Sequence, residues 1–183
     1  STSMPASSMS AAWKAATNLQ DAWSAAQPGA TLWVAPGAYP LDQPIEIDKA
    51  VRIRAIGSAD NTLIYRAGSP SRLFVLNHGE ALLDGLSLSN GYATPNSFPH
   101  YYGGAVLIYA GEVRNCRMMN NRADNGGGAA YLFGGRLSNC VLVANQAPYG
   151  GALRMRGGVV CNTQVTGNNS PSANGGGVYL EGG

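Results

Sequence analysis

Charge is scarce in this chain. Asp, Glu, Lys and Arg make up 12% of its 183 residues, about half the ~25% usual in soluble globular domains. The twelve basic and ten acidic side chains form no Lys/Arg cluster, which excludes the electrostatic footprint of a nucleic-acid binder. Cysteine is limited to Cys116, Cys140 and Cys161. An odd number with no CxxC pair indicates neither a disulfide framework nor a zinc site, so buried free thiols are expected. No apolar run approaches the roughly 18 residues that a membrane-spanning helix needs. No segment carries the calcium-binding nonapeptide or another metal pattern, and no cofactor or metal is expected. The chain starts at Ser1 rather than Met, which is compatible with a removed signal peptide or an excised fragment.

Glycine is abundant instead, at 25 residues, close to twice the ~7% average. Much of it falls in a repeat. Gly103 to Gly111 (GGAVLIYAG), Gly127 to Gly135 (GGAAYLFGG), Gly150 to Gly158 (GGALRMRGG) and Gly175 to Gly183 (GGGVYLEGG) align without a gap, their starts 24, 23 and 25 residues apart. Two asparagine columns keep the same register: Asn115, Asn139 and Asn162, then Asn121, Asn145 and Asn168. A period of this size suits leucine-rich repeats or the coils of a β-helix. The leucine spacing of the former is missing, and no repeat segment has a helical apolar period, so the β-helix remains.

Within each unit the apolar residues alternate. Val106/Ile108, Ala130/Leu132, Leu153/Met155 and Val178/Leu180 should face an interior, as the period of two in a strand demands. Stacking coils about 4.8 Å apart buries these columns and satisfies each strand from the coils above and below. Glycine and asparagine permit the positive φ that the corners require. Stacked asparagines can also bond one another's amides, so both Asn columns are expected to form structural ladders. Ile45-Glu46-Ile47-Asp48, Val51-Arg52-Ile53-Arg54 and Leu86-Ser87-Leu88 alternate less regularly and fit early, irregular coils. Ala81 to Gly91 admits two registers. Ala12, Ala15, Ala16, Leu19, Ala22, Trp23 and Ala26 recur at helical spacing up to Gln27-Pro28-Gly29, predicting an amphipathic helix that caps the solenoid, with Trp13 and Trp23 over its end. The chain thus divides into a capping segment (1–30), irregular coils with a loop at 92–102 (31–102), and regular coils (103–183).

The order of helix, Gln27-Pro28-Gly29, Thr31-Leu32-Trp33-Val34, Ala35-Pro36-Gly37-Ala38-Tyr39 and Asn-Cys/Gly-Gly-Gly coils resembles the pectin-lyase-like right-handed parallel β-helix superfamily. It is similar in particular to bacterial surface proteins carrying polymorphic outer-membrane-protein-type repeats. The resemblance covers roughly Leu19 to Gly183 and implies an all-β solenoid that is secreted or held at the cell surface. It selects no activity, because that superfamily includes polysaccharide lyases, glycoside hydrolases, adhesins and structural passengers.

Outward positions of the aligned strands give two columns: Leu107, Tyr131, Arg154 and Tyr179, then Tyr109, Phe133, Arg156 and Glu181. They form an aromatic and cationic stripe that is either a recognition surface or a face covered by a loop. The insertion Tyr92 to Tyr102 (YATPNSFPHYY), with His100, could supply that cover or join the surface. Glu46 and Asp48 share an outer strand face, where solvation is the simpler reading than a carboxylate pair for glycoside hydrolysis. The expected role is non-catalytic: adhesion, glycan binding or filament building, with a polysaccharide or other extracellular ligand as partner. Gly183 follows a strand without a cap, so either the natural chain continues or identical copies stack end to end. The alternative is a lyase or hydrolase acting on an acidic polysaccharide, with Arg154, Arg156, Tyr131 and Tyr179 as its only assignable constellation.

Overall fold

The computed structural model describes residues 18–96, 101–171 and 174–181. It is a right-handed parallel β-helix in which the chain winds through three six-stranded parallel sheets. The first sheet contains Thr31–Val34, Arg52–Ala55, Leu82–Asp84, Glu112–Arg114, Arg136–Ser138 and Val159–Cys161. The second contains Gly37–Leu41, Thr62–Arg66, Ser87–Ser89, Arg117–Met119, Val141–Val143 and Gln164–Thr166. Ile45–Ile47, Phe74–Leu76, Val106–Ile108, Ala130–Leu132, Leu153–Met155 and Val178–Leu180 make the third.

The register is the one the alternation predicts. Val106 pairs with Ala130, Ala130 with Leu153 and Leu153 with Val178, while Ile108, Leu132, Met155 and Leu180 stack in parallel two residues on. Ile45, Phe74, Ile47 and Leu76 extend both columns backward. These side chains are fully buried through Leu132, whereas Val178 and Leu180, in the last described rung, are 39% and 64% exposed. The ambiguous stretch from Ala81 settles with Leu83 and Leu88 inside: Leu83 pairs with Ile53 and Val113, and Leu88 with Ile64 and Met118. Short strands suffice because every strand between two others has its backbone bonded on both edges, so the sheet lacks edges except at its ends.

The two asparagine columns differ. Asn121 Nδ2 donates to Asn145 Oδ1 and Asn145 Nδ2 to Asn168 Oδ1, each at 3.0 Å, with Asn121 and Asn145 both 1% exposed. Each amide also donates to a strand carbonyl, of Leu88, Met118 or Leu142. This is an internal ladder. Asn115, Asn139 and Asn162 instead have exposed side chains and φ of 53°, 52° and 48°. Their backbone turns the chain sharply between the first and second sheets, the left-handed conformation that asparagine tolerates better than other non-glycine residues. Gly85, with φ 74°, fills the same corner one coil earlier. The expected ladder of Asn115, Asn139 and Asn162 is therefore a corner column.

Close approach explains a glycine column. A Cβ on Gly128 would lie 2.2 Å from the Gly151 oxygen and 2.6 Å from the Gln146 nitrogen, inside any allowed contact. At the N-terminal end, an α-helix (α1, Leu19–Ala25) starts at Asn18, whose side chain accepts from the Asp21 N–H at 2.8 Å. Leu19 and Ala26 enter the core, and Trp23 packs against it under the Lys49 ammonium, 4.3 Å from its ring. Trp13 lies outside the described residues, as does His100. Cys116 and Cys140 are buried free thiols. Cys161 is half-buried and points outward, in register with Ser138.

Candidate functional site

The outer face of the third sheet carries a second apolar cluster outside the main core. Its centre is Val75, Leu107 and Tyr131, with Tyr102, Tyr109 and Phe133 packed around it. Leu107 and Tyr131 are 0% and 2% exposed, so the middle of the stripe is covered. Tyr102 does part of the covering: its ring stacks on Tyr131 at 4.6 Å, and Tyr101 stacks on Tyr102 at 5.4 Å. Tyr131 then meets Phe133 at 4.6 Å, and Phe133 lies parallel to Tyr109 at 4.9 Å and 5°. The result is a continuous ridge of five rings. Tyr101 is 38% exposed at one end, and the other rings beside Tyr131 are half-buried.

Arg154 closes the ridge on the C-terminal side. Its guanidinium lies 5.0 Å from the Tyr102 ring, 5.8 Å from Tyr131, 5.1 Å from Tyr149 and 5.3 Å from Tyr179. It also ion-pairs with Glu181 and donates to Asn125 Oδ1. Tyr131 donates its hydroxyl to Glu181 Oε1 at 2.9 Å. Burial first, and then the bond to Glu181, push the Tyr131 phenol well above its ordinary range. These two groups of the lyase constellation are thus engaged within the protein, Tyr131 donating to Glu181 and Arg154 ion-paired with it. Arg156, after Met155, lies on the rung between Phe133 and Glu181 and is exposed.

Arg72 was not anticipated from the sequence. It is 1% exposed, and burial lowers its guanidinium to about 10, partly offset by the neighbouring Tyr109. It stays charged at neutral pH beneath this face.

A second feature lies on the first sheet. Trp33, Arg54, Asp84 and Arg114 occupy successive rungs of one outward column. Asp84 Oδ2 accepts from Arg54 Nε at 3.1 Å and from Arg114 Nε and Nη2 at 3.2 and 3.0 Å, while Oδ1 accepts from Asn115 Nδ2 at 2.8 Å. Burial alone would raise the Asp84 carboxyl, but the bonds from Asn115 and Arg114 and the two guanidinium charges outweigh it and hold it below its usual value. Arg54, Arg114, Asp84 and Asn115 line an open cleft of roughly 380 Å³ whose other wall is Ala55, Gly57, Ser58, Ala59 and Gly85. The Arg54 guanidinium sits 4.9 Å over the ring of Trp33, which is 48% exposed.

Among the described residues no group of three His, Cys, Asp or Glu side chains converges on a metal-sized site, and no helix is long and apolar enough to cross a membrane. Glu46 and Asp48 are exposed, on either side of the buried Ile47. The chain matches no family model and no curated protein.

Proposed function

We propose that the chain is a non-catalytic, extracellular or cell-surface β-helix module that binds a polysaccharide along the aromatic ridge of its third sheet, in an adhesive role. The observation that carries this is the ridge of Tyr101, Tyr102, Tyr131, Phe133 and Tyr109. The interior is filled by other residues, so these rings are not needed to close it. Aromatic faces stack on sugar rings, and tyrosine hydroxyls supply polar edges for hydroxyl groups. The exposed Arg156 adds a cation at the border. Winding on a rigid solenoid fixes the spacing of the rings, which lowers the ordering cost of binding. The resemblance to pectin-lyase-like and outer-membrane-protein-type repeat proteins supports only the extracellular or cell-surface setting, and the occupied state of Arg154 and Tyr131 favours binding over catalysis.

Calorimetric titration with a panel of neutral and uronate-containing polysaccharides tests this. Tyr101→Ala and Phe133→Ala are each expected to weaken binding about tenfold, in line with a stacking contact of ~1.4 kcal/mol. Absence of saturable binding across the panel would overturn the binding role. Release of unsaturated, ultraviolet-absorbing products from a uronate polymer would overturn the non-catalytic one.

A further inference from the structure

We infer that the cleft on the first sheet, between Arg54, Arg114 and the Ser58 loop, is a separate site for an oxyanion, a carboxylate or sulfate, carried on a flexible polyanion. It stands on its own geometry and does not depend on ligand binding at the ridge, which lies on another sheet. Its walls hold two guanidiniums and one carboxylate, and Glu112 beside Arg114 balances the second cation, so recognition there rests on the orientation of the forks and not on net charge. Each guanidinium uses its Nε and one Nη on Asp84, which locks both planes and leaves their Nη1 edges turned away from that carboxylate. Glu112 Oε2 stands 3.6 Å from Nη1 of Arg114, a loose contact. The side chains of Arg54 and Arg114 are 37% and 35% exposed, whereas that of Asp84 is 9% exposed. Solvent and ligands therefore reach the cations more readily than the anion that orients them.

Planar guanidinium forks match carboxylate and sulfate oxygens in pairs, and pre-alignment by Asp84 removes much of the rotamer cost of engaging them. The cleft is also open rather than enclosed, with Trp33 exposed one rung before Arg54. An open groove running across rungs suits a group on a chain that continues in both directions, rather than a free ion that would need full enclosure to displace its water.

Four probes and a control separate the sources: sodium sulfate, sodium acetate, dextran sulfate, carboxymethyl dextran and neutral dextran, each titrated by calorimetry into the intact chain. Saturable binding of one or both charged polymers, with none of neutral dextran, is expected. Arg54→Gln with Arg114→Gln should lower that affinity at least about tenfold, since charge-assisted hydrogen bonds are lost at both forks. Arg54→Lys with Arg114→Lys, which keeps the charge and a partner for Asp84 but not the fork, should lose affinity several-fold with unchanged circular dichroism. Phe133→Ala should leave polyanion binding intact, so that failure of the ridge and failure of the cleft are told apart. The inference is overturned if the charged polymers do not bind, if the double Gln variant binds them undiminished, or if only the free ions bind.

Discussion

Replacing Asn145 by alanine removes the central link of the internal amide ladder. Its Oδ1 accepts from both the backbone N–H and the Nδ2 of Asn121, and its Nδ2 donates to Met118 O and Asn168 Oδ1, all at 3.0 Å. After truncation, Asn121 Nδ2 keeps its bond to Leu88 O, and Asn168 Oδ1 keeps the Asn145 N–H. The Asn121 N–H loses its acceptor inside a residue that is 1% exposed, and the Met118 carbonyl loses a donor. An unmade buried hydrogen bond costs about 1–3 kcal/mol. With the small void left by the amide, a loss of about 3 kcal/mol is expected, a large fraction of the ~5–15 kcal/mol typical of a domain. Urea unfolding at unchanged slope measures it. Asn145→Asp separates chemistry from volume: it fills the space but aims a carboxylate at Met118 O and Asn168 Oδ1. It should cost at least as much as alanine at neutral pH. A carboxyl buried there has a folded pKa above its unfolded value, so the variant should regain stability as pH falls and the neutral acid donates again. An alanine loss below about 1 kcal/mol, or an aspartate variant indifferent to pH, would refute the ladder as a source of stability.

Ala144, immediately before that residue, has φ 54° where Asn90 and Asn120 fill the equivalent corner at 60° and 55°. Left-handed backbone costs a non-glycine residue about 1–2 kcal/mol and asparagine less, so Ala144→Asn is expected to raise the urea midpoint by the equivalent of about 0.5–1 kcal/mol. The Asp84 carboxyl, held below its ordinary value, contributes stability that is present above the unfolded carboxylate range and lost as pH falls through the folded value. Asp84→Asn should therefore be less stable than the parent at pH ~7 by about 1–2 kcal/mol, modest because its arginine partners are partly solvated, and the gap should close at pH ~2; unfolding curves at the two pH values decide it.

The regular coils were legible because strict periodicity put identical jobs on equivalent letters. Val106, Ala130 and Leu153 could be stacked from spacing alone, and the structure pairs them directly. The Asn columns show where letters stop short. Asn115 and Asn121 have the same chemistry, yet one is an exposed corner with φ 53° and the other a buried link in a ladder. A repeat reveals that a residue type is required, not whether its backbone or its amide is the reason.

The same limit governed the surface. Alternation assigns a side chain to the outside of the coil, but Leu107 is outside the coil and still 0% exposed, because Tyr102, at the end of an insertion whose path the repeat does not specify, packs with Tyr109 and Phe133 against its cluster. The Arg54–Asp84–Arg114 column escaped notice for the opposite reason. These residues are 30 apart, in coils lengthened by insertions, so the 23–25-residue period of the regular coils does not superpose them. Insertions thus act twice: they hide the outer face they cross, and they break the spacing that would identify the faces they leave open. In this solenoid the core follows the period and the outer faces depend on departures from it, so the Arg54–Asp84–Arg114 column is visible in the strand register and not in the repeat.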